Sequence, residues 1–145
     1  MQHDSVKIRR GKRTDFPALL ALVAPADPAA ATKAQARHWR RLASDPAHDF
    51  YVAEQEDTLR GMVLVSYVRG LRHYGWQAIL DVVFPSPAVC AISQTLLDFA
   101  KARARKRGCR HLFVWVTDHA RDEQLAPLMQ AGFHRAGEVL SCGLL

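Results

Sequence analysis

The sequence predicts an α/β sandwich (α+β in its segregation of strands), built on a mixed, mainly antiparallel central sheet flanked by helices, and three observations carry that prediction. Three β-rich runs, residues 50–54, 62–68 and 76–84, follow one another with only short polar or glycine-bearing turns between them, as in an antiparallel meander. A fourth run, residues 111–117 (HLFVWVT), comes after a long amphipathic helix and is apolar on both alternating faces, as in a covered strand lying parallel to its neighbour. Two helical segments precede the meander and one follows the last strand. The predicted order is β-α-α-β-β-β-α-β-α-β, with room for one more strand at the end, in a single domain over residues 1–145.

Residues 6–10 are the first strand. Thr14 can cap a helix in which Phe16, Leu19, Leu20 and Val23 recur at i, i+3, i+4 and i+7, one buried face. The proline-broken stretch 25–30 ends it, and a second helix is expected over about residues 32–42, with Ala36 and Trp39 turned inward. Glu56, Asp57 and Thr58 turn the first hairpin and residues 70–75 the second. The long helix keeps Ile92, Leu96, Phe99 and Ala100 on one face and Asp98, Lys101 and Arg105 on the other, with Gly108 as its C′ residue. The last helix, about residues 121–131, buries Leu125, Leu128 and Met129 and stops at Gly132. Trp39 and Trp115 are assigned to the core.

A chain of 145 residues that is 49% apolar supports one substantial core, and it contains no internal repeat, low-complexity tract or linker. Lys and Arg number 20 against 14 Asp and Glu, so a net charge of +6 favours anionic ligands. No RNA-binding signature, helix-turn-helix spacing or exposed aromatic series accompanies that charge, so nucleic acid is not the expected partner. Cys90, Cys109 and Cys142 form no CxxC pair, which indicates neither a disulfide framework nor a metal site. The first residues, MQHDSVKIRRGKRTDF, lack the apolar core of a signal peptide, and no apolar run approaches the roughly 18 residues of a membrane span. A soluble protein of the cytoplasm is expected.

Residues 79–108 read as strand, proline-bracketed loop and long helix, the arrangement by which a helix N-terminus receives a phosphate. Together with IRRGKRTDFPALLALV at the start, DVVFPS, LLDFAKARARKRGC and LMQAGF, this order resembles the GNAT superfamily of N-acetyltransferases over essentially the whole chain. The resemblance implies acetyl-CoA as cosubstrate and direct transfer of its acetyl group to a primary amine of a small molecule, peptide or protein. In that family the loop after the fourth strand carries Gln/Arg-x-x-Gly-x-Gly/Ala, whose backbone amides receive the pyrophosphate. Aligned on Leu96 and Leu97, the six positions here are Ala88, Val89, Cys90, Ala91, Ile92 and Ser93: the Gln/Arg is absent and small residues replace both glycines. A non-glycine residue at φ > 0 costs about 1 kcal/mol or more, so the loop has another shape or never used that conformation.

Cofactor contacts are therefore expected from Val89, Cys90, Ala91, Ile92 and Ser93, and from backbone N–H groups of Val82, Val83 or Phe84, which in this family orient the thioester carbonyl. Asp81 can take a proton from an ammonium substrate through water, or simply be a strand-end carboxylate. His119 lies past the HLFVWVT strand and titrates in the useful range, or is a solvated loop residue. Cys90 sits where a thiol pKa can fall. The tyrosine that often protonates the departing thiolate, in a Tyr-x-x-x-Gly-Phe pattern, is Leu128 here and has no proton to give. Arg72, His73, Tyr74 and Trp76, in the hairpin that borders the acceptor side in this family, suit a substrate with an aromatic or anionic portion. Lys101, Arg103, Arg105, Lys106, Arg107 and Arg110 either form a solvated helix end or lend one or two cations to the 3′-phosphate of CoA. The alternative to an enzyme is a non-catalytic GNAT-like binding or regulatory protein that has lost ordinary acetyl-CoA binding. Members frequently dimerise through terminal strands, and the ending VLSCGLL is apolar enough for a homodimer by strand pairing or exchange.

Overall fold

A computed structural model describes residues 5–23, 33–72, 74–116 and 121–145. The elements are β1 (Lys7–Arg10), α1 (Phe16–Val23), α2 (Lys33–Ser44), β2 (His48–Gln55), β3 (Thr58–Arg69), β4 (Trp76–Val83), α3 (Ala91–Lys106), β5 (Leu112–Val114) and α4 (Arg121–Gln130). The five strands lie in sequence order, antiparallel from β1 to β4, and β5 joins parallel to β4 across the α3 crossover. The expected meander and βαβ unit are both present. Among the described residues no helix is long and apolar enough to cross a membrane.

The sheet is buried on both faces, and the period-2 alternation of β3 divides the core in two. Val63 and Val65 pack with Leu80, Val82, Leu96, Leu97, Ala100 and Leu128 beneath α3 and α4. Met62, with Leu64 beside it, joins Leu19, Trp39, Phe50 and Val52 beneath α1 and α2. Trp39 stacks on Phe16 at 5.7 Å and meets Phe50 edge-on at 4.8 Å, which docks α2 onto β2.

Local signals explain the boundaries. Glu56 and Asp57, with φ of 50° and 58°, make a two-residue turn between the paired Gln55 and Thr58, the hairpin geometry that matches strand twist. Gly108 and Gly132 sit at positive φ, where an L side chain is disfavoured, and each ends its helix with a Schellman pair. Cys109 N–H donates to Ala104 and Gly108 N–H to Arg105, and Phe133 N–H donates to Leu128 and Gly132 N–H to Met129. Thr14 is not the cap expected of it. It lies inside a 3₁₀ turn over Arg13–Asp15, and the Asp15 carboxylate takes the Lys12 N–H while Arg9 holds it from the other side.

The C-terminal third departs from expectation. β5 is three residues long and only half-buried, Trp115 is 63% exposed and Met129 58% exposed, so neither belongs to the core. Residues 133–145 form no strand. Among the described residues no strand pairs with the outer edge of β5, so apolar residues on that side have no further strand to pack against.

Candidate functional site

The site begins where β4 and β5 part. Their last pair is Leu80 with Val114, and Ala78 N–H donates to His111 C=O at 3.2 Å, so even-numbered residues of β4 turn their backbone groups toward β5. Alternation then directs the Val82 N–H into the gap beyond the last pair, whereas Val83, one residue on, faces β3. Phe84 follows just past the strand end, half-buried against the core. Between the parting strands lies a polar hollow of about 30 Å³ lined by Leu80, Asp81, Val82, Val114, Trp115, Gln124 and Leu128.

Gly61 on β3 is what lets this corner close. A Cβ there would lie 2.7 Å from the Val83 carbonyl oxygen and 2.9 Å from Leu96 Cδ1, so only glycine allows β3 and β4 to meet the first turns of α3.

The β4–α3 loop follows at once. None of residues 85–93 has a positive φ, so it is built entirely from conformations open to L-residues, and the loss of the glycines carries no backbone strain. Ser93, fully buried, donates its hydroxyl to the Ala88 carbonyl and closes the loop. Ala88 is half-buried, while Val89 and Ala91 are exposed at the mouth of α3. Cys90 is the N-cap residue and its Sγ lies 3.4 Å from Ser93 Oγ. Burial pushes the Cys90 thiol up, but the Ser93 hydroxyl, the backbone N–H groups of Ser93 and Ile92 and the charge of Arg60 outweigh it and hold the thiol below its usual range. An electron-rich atom is thus favoured at this helix N-terminus. The arrangement fits the diphosphate end of CoA: small side chains, first-turn amides and a cation converge on one loop.

Arg60 is the residue that sequence reasoning missed. Its Nε is buried with no hydrogen-bond partner among the described residues, an unusual state for a guanidinium nitrogen. It precedes Gly61 on β3, and its charge reaches Cys90. Nothing in a lone Arg on a strand distinguishes it from a surface cation; only the strand register brings it to the loop.

Asp81 lines the hollow beside Val82 and is exposed. Leu128 lies across from it, 2% exposed and packed in the core, so this position offers hydrocarbon rather than a proton. The hairpin residues are elsewhere. Trp76 is six residues before Val82 on the same strand, about 20 Å away, and lies under the Arg69 guanidinium at 4.3 Å. Arg72 and Tyr74 are exposed beyond it. His73 and His119 lie outside the described residues. The basic cluster lies along the second half of α3 and just beyond it, roughly 15 Å or more along the helix from the loop. Arg103 and Arg107 instead hold the buried Asp49, and Lys101 donates to the Ala131 carbonyl.

The sequence pattern of the acetyltransferase (GNAT) family matches residues 16–133. This chain belongs to the GNAT acetyltransferase family. Solved structures superpose over nearly its whole length. A transcriptional regulator from Bacillus halodurans C-125 is 20% identical, with 97% of this chain and 100% of that one covered and a TM-score of 0.81. An aminoglycoside N-acetyltransferase in complex with CoA is 16% identical, with 97% and 95% covered and a TM-score of 0.76. The glucosamine-6-phosphate N-acetyltransferase of Arabidopsis thaliana is 17% identical, with 96% and 98% covered and a TM-score of 0.71. At these identities the likeness is one of fold. No curated protein matches the sequence. Among the described residues, a mixed sheet of five strands with four α-helices surrounds the gap between β4 and β5.

Proposed function

We propose that this protein is an N-acetyltransferase that moves acetyl from acetyl-CoA to a primary amine of a small molecule, peptide or protein by direct attack. The observation that carries this reading is the Val82 N–H, left without a strand partner among the described residues in the gap between β4 and β5, one loop away from the α3 N-terminus. A fixed donor at the point where a thioester oxygen gains negative charge stabilises that charge without reorganising solvent. The first-turn amides at Ala91, Ile92 and Ser93, with Arg60, hold the diphosphate. Val89 and Cys90 shape the mouth of that cradle, and Phe84 walls the path between the two ends.

Asp81 receives the proton of the incoming ammonium through water, freeing the amine to attack. With Leu128 at the position where relatives in this family often have a tyrosine, the departing thiolate takes its proton from solvent, which lowers the rate without abolishing transfer. Relatives titled as aminoglycoside and glucosamine-6-phosphate acetyltransferases support an amino-sugar-like or similarly polar amine as acceptor. Arg72, His73, Tyr74 and Trp76 contact only an acceptor long enough to reach the β3–β4 hairpin.

Calorimetric titration with acetyl-CoA tests the reading, with desulfo-CoA and ATP as controls. Saturable binding of the first two and not of ATP is expected. No binding up to millimolar acetyl-CoA would favour the second reading, a GNAT-fold regulatory protein. That reading has its own support in the buried Leu128 and in the fold shared with a protein titled as a transcriptional regulator.

A further inference from the structure

On the outer side of β5 an unpaired backbone edge and an apolar groove lie under a rim of one charge. Ala78 N–H donates to His111 C=O, so His111 and Phe113 face β4. Leu112 and Val114 therefore turn their N–H and C=O groups to an edge where no strand pairs among the described residues. Beside that edge runs an open groove of about 880 Å³ with Val116, Leu128, Met129 and Phe133 among its apolar lining. None of the described residues that line it is Asp or Glu, whereas Lys101, Arg105, Arg110, His111, His134 and Arg135 all do.

These basic residues gather at one end. Lys101 donates to the Ala131 carbonyl, which sets the end of α4 beside the last turns of α3, so the cations that follow both helices meet near the start of β5. Lys101 is engaged by that bond and lies 5.6 Å from the Phe133 ring. Arg105, Arg110 and Arg135 are exposed and form no ion pair among the described residues. Positive charge offsets a helix dipole only within the last turn, and Arg110 and Arg135 stand beyond the ends of α3 and α4. The opposite end of the groove backs onto the candidate site, since Val114, Trp115 and Leu128 line both it and the hollow beside Asp81.

Charge and backbone together select the occupant. An acyl chain would cover the Leu112 and Val114 backbone groups without bonding them, a cost that a strand avoids. A nucleic acid would meet the cations and leave the apolar lining uncovered. A second copy of this chain brings the wrong charge: the chain carries +6, and its residues 134–145, HRAGEVLSCGLL, hold one acidic side chain, Glu138, beside Arg135. We infer that this face binds an extended acidic segment of another protein, which adds a strand along Leu112–Val114, sets its carboxylates against Arg105, Arg110 and Arg135, and sinks alternate apolar side chains into the groove. In such strand addition the main chain supplies affinity and the alternating side chains supply selectivity. The apolar end of the bound segment covers the exposed Trp115 and Met129 and so forms part of the wall behind the candidate site.

Fluorescence anisotropy with a fluorescein-labelled peptide of alternating valine and glutamate tests this without reference to acetyl transfer. Saturable binding in the micromolar range is expected, weakening as salt is raised, with slowed amide exchange at Leu112 and Val114. Replacing the glutamates of the peptide by lysine, or N-methylating its alternate backbone amides, should each weaken binding about tenfold or more. The double substitution Arg105→Glu, Arg110→Glu changes two exposed side chains and should do the same with the circular dichroism unaltered. If that variant does not fold, the altered peptides carry the test on the unaltered protein. No saturable binding up to millimolar peptide, equal binding of the lysine peptide, or tighter binding of an oligodeoxythymidylate overturns the inference. So does a full chain that sediments as a dimer with its Leu112 and Val114 amides already protected.

Discussion

At the scale of single residues, the proposed acetyl transfer concentrates on one backbone amide. Val82 contributes its N–H rather than its side chain, so Val82→Ala should retain turnover while Val82→Pro, which deletes the donor, lowers kcat by about 100-fold or more with the fold intact by circular dichroism. Arg60 makes a sharper distinction between cradle and scaffold. Its Nε has no hydrogen-bond partner among the described residues, so Arg60→Ala should weaken acetyl-CoA binding by about tenfold in calorimetry and shift the melting temperature little. Asp49 is the opposite case. It is fully buried between Arg103, Arg107 and the Tyr67 hydroxyl. Burial pushes its carboxyl up, but the hydrogen bonds from Arg103 and Tyr67 and the two guanidinium charges win and hold it below the ordinary carboxylate range. Asp49→Ala leaves those cations facing an empty site and should cost about 3 kcal/mol in urea unfolding.

Elements bring these residues together through spacing. The 16 residues of α3 separate two electrostatic ends: amides and Arg60 at the loop, and the Asp49 network near Arg103 and Arg107. At the end richer in cations Arg103 and Arg107 are thus engaged with Asp49, and the loop end draws its cation from a strand. β3 sets the separation between sheet and helix through Gly61. Gly61→Ala places a methyl against the Val83 carbonyl and Leu96, and should destabilise by about 1–3 kcal/mol. Because that carbonyl adjoins Val82, the same substitution should raise KM for acetyl-CoA in whatever fraction remains folded.

For the whole molecule, stability and pH are linked through its carboxylates. Asp15, held down chiefly by its hydrogen bonds from Arg9 against the cost of burial, and Asp49 both have lowered pKa values. A group depressed in the folded state contributes at neutral pH and loses that contribution as pH falls through its folded value. Stability measured by urea unfolding should therefore be level around neutrality and drop below the ordinary carboxylate range, and Asp49→Ala should flatten that drop. An acid profile unchanged by the substitution would refute the role given to Asp49. Two half-cores on one sheet make the transition a single cooperative one, since neither face is dry without the strands they share.

Local physics was enough for much of this fold. The alternation of the meander, the polar Glu56–Asp57 turn, the amphipathic face of α3 and the glycines after both C-terminal helices are all statements about neighbours in sequence, so they were legible, and with them the GNAT order of elements. Ala88 to Cys90 were placed correctly between β4 and α3, with Ala91 to Ser93 opening the helix, yet the loop's shape was not readable, because absent glycines do not say which conformation replaces them. Tertiary structure decided the rest. Register selected Val82 over Val83 as the amide in the gap, carried Arg60 to the loop and turned Arg103 and Arg107 to Asp49. It also left Trp115, Met129 and the final apolar residues uncovered. Sequence pattern marks a segment as one that must be buried; only the packed molecule reveals whether a single chain has the surface to bury it.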